Sequence, residues 1–367
     1  MQLWQRIGLG CSVGLFALVV ACQSGKTGVD PVKPMPEPPT TTPAYQTTPY
    51  LWQKPANFPD PVYDFTNNPL TYEGVALGKT LFNDGMLSRD GAITCAFCHT
   101  PEAAFAHTDH VLSHGINDQL GPRNGLNIQN VAWNKAFFWD GGIHDLDLLP
   151  IAPIQNPVEM GDTLTHVLAK VQASSKYSSL FYKAFGSTDV TQERFLKALS
   201  QFLLTLVSAE SKYDKYVRKE SGGEMASHEL NGLSLFKANC ASCHAGELLT
   251  DQSYRNNGLL PNPNASKPDL GRYSITLIES DKNKFRVPSL RNIAVTLPYM
   301  HDGRFATLEA VLNHYATGVA DNTSLDPLLK ANGKLGIALT QQEQQDIIAF
   351  LRTLTDNTFL TNKAFRP

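Results

Sequence analysis

Between residues 340 and 354 the chain reads Thr340-Gln341-Gln342-Glu343 and then places Ile347, Ile348, Leu351 and Leu354. The first four residues form a capping box, in which a hydroxyl and a carboxylate satisfy each other's backbone N–H groups. The apolar positions that follow recur at helical spacing, so the stretch predicts an amphipathic helix. A matching helix is expected through Phe202-Leu203-Leu204-Thr205-Leu206, the counterpart of Phe350-Leu351-Arg352-Thr353-Leu354. Strand-like alternation is scarce, and the loops are long and rich in Gly, Asn and Pro. The pattern predicts an all-α fold with long loops.

The pattern also occurs twice. Gly78-Lys79-Thr80-Leu81-Phe82 has its counterpart in Gly232-Leu233-Ser234-Leu235-Phe236. Asn130-Val131-Ala132 leads at a spacing of nine residues to Trp139-Asp140-Gly141, and Asn292-Ile293-Ala294 leads at the same spacing to His301-Asp302-Gly303. Two small helical domains related by internal duplication are expected, one over 68–220 and one over 221–367. The boundary falls near Ser221-Gly222-Gly223.

Neither repeat includes the start of the chain. Arg6 followed by the apolar run Ile7 to Val20 has the form of an export signal, too short to read as a membrane span. It ends at Val19-Val20-Ala21-Cys22, a lipobox that would make residues 1–22 a lipoprotein signal peptide and Cys22 a lipid-anchored N-terminus. Residues 23–67 read as a Pro/Thr-rich tether, since 31–61 carry 10 of the 23 prolines and such a composition favours extended chain. Export and the anchor together place the body in the periplasm, facing a membrane, with the outer membrane favoured. A hydrophobic content of 42% suits a globular body, and a net charge of −3 excludes nucleic acid as the main partner.

The cysteines carry the chemistry. Of 6 in the chain, Cys11 and Cys22 lie in the signal. The other four form Cys95-Ala96-Phe97-Cys98-His99 and Cys240-Ala241-Ser242-Cys243-His244, leaving none for a structural disulfide. C-x-x-C-H is the pattern of covalent c-type haem attachment, in which two thiols add to the vinyl groups and the His ligates the iron. A four-Cys zinc site would not need a His after each second Cys. Two covalent haems are therefore expected, with His99 and His244 on the near sides.

Function depends on the far sides. An iron with two protein ligands passes electrons, whereas one with an open position can bind peroxide. The repeat offers the second haem Tyr315 or its neighbour His314. It offers the first a carboxylate beside a thioether, Glu159 and Met160. Glu159 suits the proton transfer that peroxide cleavage requires, and Met160 as an axial ligand is the rival reading. His107, His110 and His114 follow the first motif in a polar loop.

Both haem motifs, Gly121-Pro122-Arg123-Asn124, Phe138-Trp139-Asp140-Gly141, Asn156-Pro157-Val158-Glu159-Met160 and Pro298-Tyr299-Met300-His301-Asp302-Gly303 resemble the bacterial di-haem cytochrome c peroxidase family, MauG-type enzymes included. The resemblance spans about 68–357. It implies two cytochrome c-like domains, with a peroxidatic N-terminal haem and a C-terminal haem that passes electrons. Glu159 would be the distal acid/base and Trp139 the relay between haems. Asn124 would ligate a calcium ion with the carbonyls of Thr296 and Pro298. The classical enzymes carry Met at the position of Tyr315 and the MauG-type ones Tyr, so Tyr315 implies ligation by a hard phenolate that stabilises oxidised iron. His114-Gly115 matches a His-Gly whose His ligates the resting first haem, although its spacing to Gly121 is two residues longer; surface histidines are the alternative. Arg286 would pair with a haem propionate or stand in a surface salt bridge. Gly142 replaces a common Arg, and Leu149 a common polar residue. The implied activity is reduction of hydrogen peroxide with electrons from a monohaem cytochrome c or a cupredoxin, and the implied assembly a homodimer. The alternatives are MauG-like oxidation of a partner protein and a non-enzymatic di-haem electron carrier.

Overall fold

The structure is a computed structural model that describes residues 45–366 apart from 109, 264, 266 and 332. The signal peptide, Cys22 and the first part of the expected tether lie outside the described residues. The elements are α1 (Tyr72–Phe82), α2 (Cys95–Cys98), α3 (Ile151–Gln155), α4 (Leu164–Ala173), α5 (Ser175–Phe185), α6 (Gln192–Leu204), α7 (Lys212–Arg218), α8 (Ser227–Asn239), α9 (Tyr273–Thr276), α10 (Leu308–Asn313), α11 (Gln341–Arg352) and α12 (Asn357–Leu360). Two antiparallel strand pairs, Tyr254–Arg255 with Phe285–Arg286 and Lys330–Ala331 with Lys334–Leu335, complete the described residues. The fold is all-α in class, built of two cytochrome c-like halves.

The duplication is visible atom by atom. In the first half α1 crosses α6, and in the second α8 crosses α11. Both crossings run through a glycine: a Cβ on Gly78 or Gly232 would stand 1.9 Å from the carbonyl oxygen of Ala198 or Asp346 respectively. Thr340 caps α11 as its capping box requires. After the helices, Asn130 and Asn292 both take the left-handed conformation, with φ 55° and 57°. Their N–H groups donate to Leu206 and Leu354, the tails of the two helical repeats. The bridges Phe137↔Ile143 and Tyr299↔Phe305 then close equivalent loops.

The halves meet along a polar seam. Asn130 Nδ2 donates to the Ser208 carbonyl at 3.0 Å, and Asn292 Nδ2 to the Ser208 hydroxyl at 2.9 Å. Ser208 Oγ in turn donates to Asp356 at 2.9 Å. Beside them, Arg291 holds Asp214 in a two-pronged ion pair at 2.9 and 2.7 Å, with both side chains fully buried.

Two stretches depart from expectation. Residues 45–67, expected as the end of a tether, lie against the body. Trp52 donates to the Leu204 carbonyl at 2.9 Å, and its ring packs on Phe65 and Trp133. Phe58 is buried against Trp133. The prolines here separate aromatic residues, and those supply the apolar area that a Pro/Thr composition lacks. At the other end, Phe359 and Phe365 pack on Phe105 of the first half with ring centroids 5.8 and 5.7 Å apart. The last residues therefore leave the second repeat and close over the first.

Candidate haem sites

Each C-x-x-C-H motif lies on a short helical turn that aims its histidine inward. Thr94 caps the first turn by accepting the Phe97 N–H at 2.9 Å. The His99 N–H donates to the Cys95 carbonyl at 3.0 Å, and the His244 N–H to that of Cys240 at 2.9 Å. His99 Nδ1 donates to the Phe105 carbonyl at 2.7 Å, and His244 Nδ1 to that of Leu249 at 3.2 Å. Phe105 and Leu249 both have positive φ, 60° and 54°, which turns their carbonyls toward the rings. With Nδ1 engaged, Nε2 remains for iron, the usual outer-shell arrangement of a ligating histidine. Burial pushes His99 down to about 4 and lowers His244 as well, so both rings stay neutral. Burial also pushes the thiols of Cys95 and Cys240 up to about 12 and that of Cys98 to about 11. All four are free. Partly buried free thiols beside a neutral, oriented imidazole fit thioether-linked haem at both motifs.

The far side of the first motif is assembled from two loops. The Ile116 N–H donates to the Glu159 carbonyl at 2.8 Å. Gly115 permits this approach, since a Cβ there would stand 2.2 Å from the Val158 carbonyl oxygen. Glu159 is drawn inside, and burial raises its carboxyl pKa while Asn156, donating to Oε1 at 2.9 Å, opposes that shift. The Glu159 charge adds slightly to the raised thiol pKa of Cys95 and Cys98. Met160, the rival ligand, is buried in the hydrophobic core of the first half.

The three histidines of the following loop lie in a row, His110 stacked on His114 and tilted against His107. His110 lies 5.2 Å from His107 and 5.0 Å from His114, centroid to centroid. His107 is buried and His110 exposed. The His114 carbonyl lies 3.7 Å from Cys98 Sγ, and its Nδ1 is buried without a hydrogen-bond partner. His114 thus lies beside Cys98, while His110 stands at the surface.

The second motif opens on a cavity of about 230 Å³. Cys240, Cys243, His244, Tyr315, Met300 and Arg286 face it. Burial pushes the Tyr315 phenol up to about 12, and charge at Cys240 and Cys243 adds to the effect. His314 points elsewhere, donating from Nε2 to the Asn257 carbonyl at 3.0 Å. The two neighbours sit in a widened π turn, His314–Gly318, which separates their directions.

The same cavity meets the first half. Trp139 Nε1 donates to the Asn124 carbonyl at 2.9 Å, and the Asn124 N–H donates to the His301 carbonyl at 2.8 Å. The rings of Trp139 and His301, equivalent positions of the repeat, stand 6.5 Å apart edge to face. Thr296 and Pro298 line this cavity with Asn124. Arg286 is buried, not in a surface salt bridge. Its Nε donates to the Phe138 carbonyl at 3.1 Å, and burial lowers its pKa. It belongs to no ion pair among the described residues. His301 was found in the sequence as the repeat partner of Trp139 but given no role, whereas Asn257 belongs to no motif and escaped notice.

Comparisons with known proteins agree with this arrangement. A family model described as di-haem cytochrome c peroxidase matches residues 72–222, and one described as cytochrome c matches 230–355. The methylamine utilization protein MauG of Methylorubrum extorquens is 34% identical over 83% of this chain and 83% of its own length. The cytochrome c551 peroxidase of Nitrosomonas europaea is 38% identical over 76% of this chain and 79% of its own. Among solved structures, a MauG-like protein associated with microbial copper homeostasis superimposes with a TM-score of 0.77 and 32% identity, covering 86% of this chain and 98% of that one.

Proposed function

Because the chain belongs to the di-haem cytochrome c peroxidase family, we propose that it reduces hydrogen peroxide to water beside Cys95, Cys98 and His99. Electrons are taken in beside Cys240, Cys243 and His244. The observation that carries this reading is the half-buried Glu159 carboxyl, whose loop packs on Gly115 next to the His114 that lies beside Cys98, with Asn156 donating to one of its oxygens. When bound, the haems supply an iron that takes peroxide and an iron that stores and passes electrons. Glu159 removes the proton from one peroxide oxygen and delivers it to the other, which leaves as water. Two electrons and two further protons complete the reduction to a second water. Trp139 relays electrons between the halves, and its N–H bond to Asn124 holds the indole in place. Arg286 holds a propionate. Asn124, Thr296 and Pro298 offer neutral oxygens to calcium, and His114 is the residue that would bind the first iron at rest.

The donor is a small monohaem cytochrome c or a cupredoxin. The protein works as a homodimer in the periplasm, anchored through Cys22. Among the described residues no helix is long and apolar enough to cross a membrane. A second reading, oxidation of a partner protein, is favoured by one observation: Tyr315 faces the second cavity while His314 is engaged by Asn257. A phenolate there would let both irons hold oxidising equivalents.

The test is peroxide turnover by the di-haem protein with a reduced small donor. Glu159→Gln should keep both haem spectra and lower kcat by about 10²- to 10⁴-fold; full activity would refute the assignment. If the unmodified protein gave neither turnover nor a spectral change with peroxide, only the electron-carrier reading would survive.

A further inference from the structure

Two possible iron donors, Tyr315 and Met300, face the cavity of the second motif, a third, His314, stands next to Tyr315 in the chain, and Asn257 lies among them. The Asn257 backbone carbonyl accepts His314 Nε2 at 3.0 Å. Its side-chain Nδ2 donates to Met300 Sδ at 3.4 Å, and the amide lowers the pKa of the Tyr315 phenol against the effect of burial. Asn257, Met300 and Tyr315 all face the same cavity.

The orientation of the Asn257 amide is fixed by its surroundings. Its Oδ1 accepts the Leu259 N–H at 3.3 Å, which leaves the NH₂ group to Met300 on the cavity side. The neighbours on either side are locked. Asn256 is fully buried and donates to Asn322 Oδ1 and Ser324 Oγ at 2.8 and 2.9 Å. Gly258, at φ 72°, packs so closely that a Cβ would stand 2.6 Å from Val319. The Ala320 N–H closes the arrangement on the Gly258 carbonyl at 2.9 Å. Residues 256–258 are thus tied to the chain that leaves the π turn carrying His314 and Tyr315.

We propose that Asn257 is a positioning residue that sets the second haem's far-side ligand: its carbonyl withholds His314, and its amide occupies Met300 and donates to the Tyr315 oxygen. The inference rests on the reading of Tyr315 as that ligand. A donor N–H on a phenolate oxygen draws charge away from the iron, as outer-shell hydrogen bonds to metal ligands do. Without it the phenolate is a stronger donor, Fe(III) is favoured over Fe(II), and the midpoint potential falls.

The experiment is a potentiometric titration of the di-haem protein, each haem followed by its own absorption and by electron paramagnetic resonance. Asn257→Leu keeps the size and the carbonyl but removes both N–H donors. Its second haem should have a lower midpoint potential and a shifted ferric phenolate charge-transfer band, with the first haem unchanged. Asn257→Asp replaces donors by acceptors and should lower the potential further. Tyr315→Phe is measured beside them. If Tyr315→Phe alters the ferric spectrum of the second haem while both Asn257 variants keep the native potential and band, the role of Asn257 is overturned and the ligand stands. If Tyr315→Phe leaves that spectrum unchanged, ligation by Tyr315 fails and this inference fails with it.

Discussion

In the proposed role of base, Glu159 must be ionised, and burial delays that ionisation to higher pH than for an exposed glutamate, ordinarily near about 4.3. Peroxide turnover should therefore fall as pH drops through this raised value. Asn156 opposes the shift, so Asn156→Leu should move the acid limb of the kcat/KM profile to still higher pH. A profile that stays in place would separate Asn156 from the carboxylate. At this scale the motif residues were legible because their chemistry demands fixed spacing: Cys95, Cys98, His99 and their repeat partners could be named from the string alone. The groups that aim them could not. The carbonyls of Phe105 and Leu249 act through backbone conformation, which leaves no signature in side-chain identity. Asn257 lies far from Tyr315 in sequence, and only the packed chain brings them together.

The helix crossings test the repeat as a unit of construction. Gly78 and Gly232 are conformationally ordinary; each is a glycine because a partner carbonyl occupies the place of its side chain. Gly232→Ala should force α8 and α11 apart and cost about 1–3 kcal/mol, read as a lower Tm with helical content retained. An unchanged Tm would mean the crossing relaxes freely. Helices were legible here because capping boxes and apolar spacing are local. The segment 45–67 was misjudged for a related reason. Its prolines speak for extended chain, correctly, but extended chain carrying Trp52, Phe58 and Phe65 can still be buried. Composition averaged over the stretch concealed where the aromatic residues fall.

The whole molecule depends on the polar seam, where Asp214 and Arg291 have no access to solvent. Burial alone would raise the Asp214 carboxyl; Arg291, with Ser211 and Asn57, holds it below the ordinary carboxylate range instead. The sign follows from linkage: a depressed folded pKa contributes stability above the unfolded value, about 3.9, that is lost as pH falls through the folded one. Asp214→Ala leaves a buried guanidinium without its partner and should cost about 3–5 kcal/mol, seen in chemical denaturation at neutral pH. The difference from the unmodified protein should shrink in acid. A loss below 1 kcal/mol, as exposed pairs give, would show that water reaches the seam. None of this was legible in the sequence, because a buried ion pair between residues so far apart in the chain has no local pattern.

The packing of residues 45–67 has a mechanical consequence. A pull transmitted along the chain to Tyr45 first meets its hydroxyl bond to the Ala184 carbonyl, at 3.0 Å. It then meets the Thr48 contacts to Glu73 at 2.9 and 3.0 Å and the indole of Trp52 on Leu204. Asn57 passes the remainder to Asp214 at 2.8 Å. These bonds lie in series and must yield one after another before load reaches either cysteine motif, so the segment acts as a strain relief for the iron-binding turns.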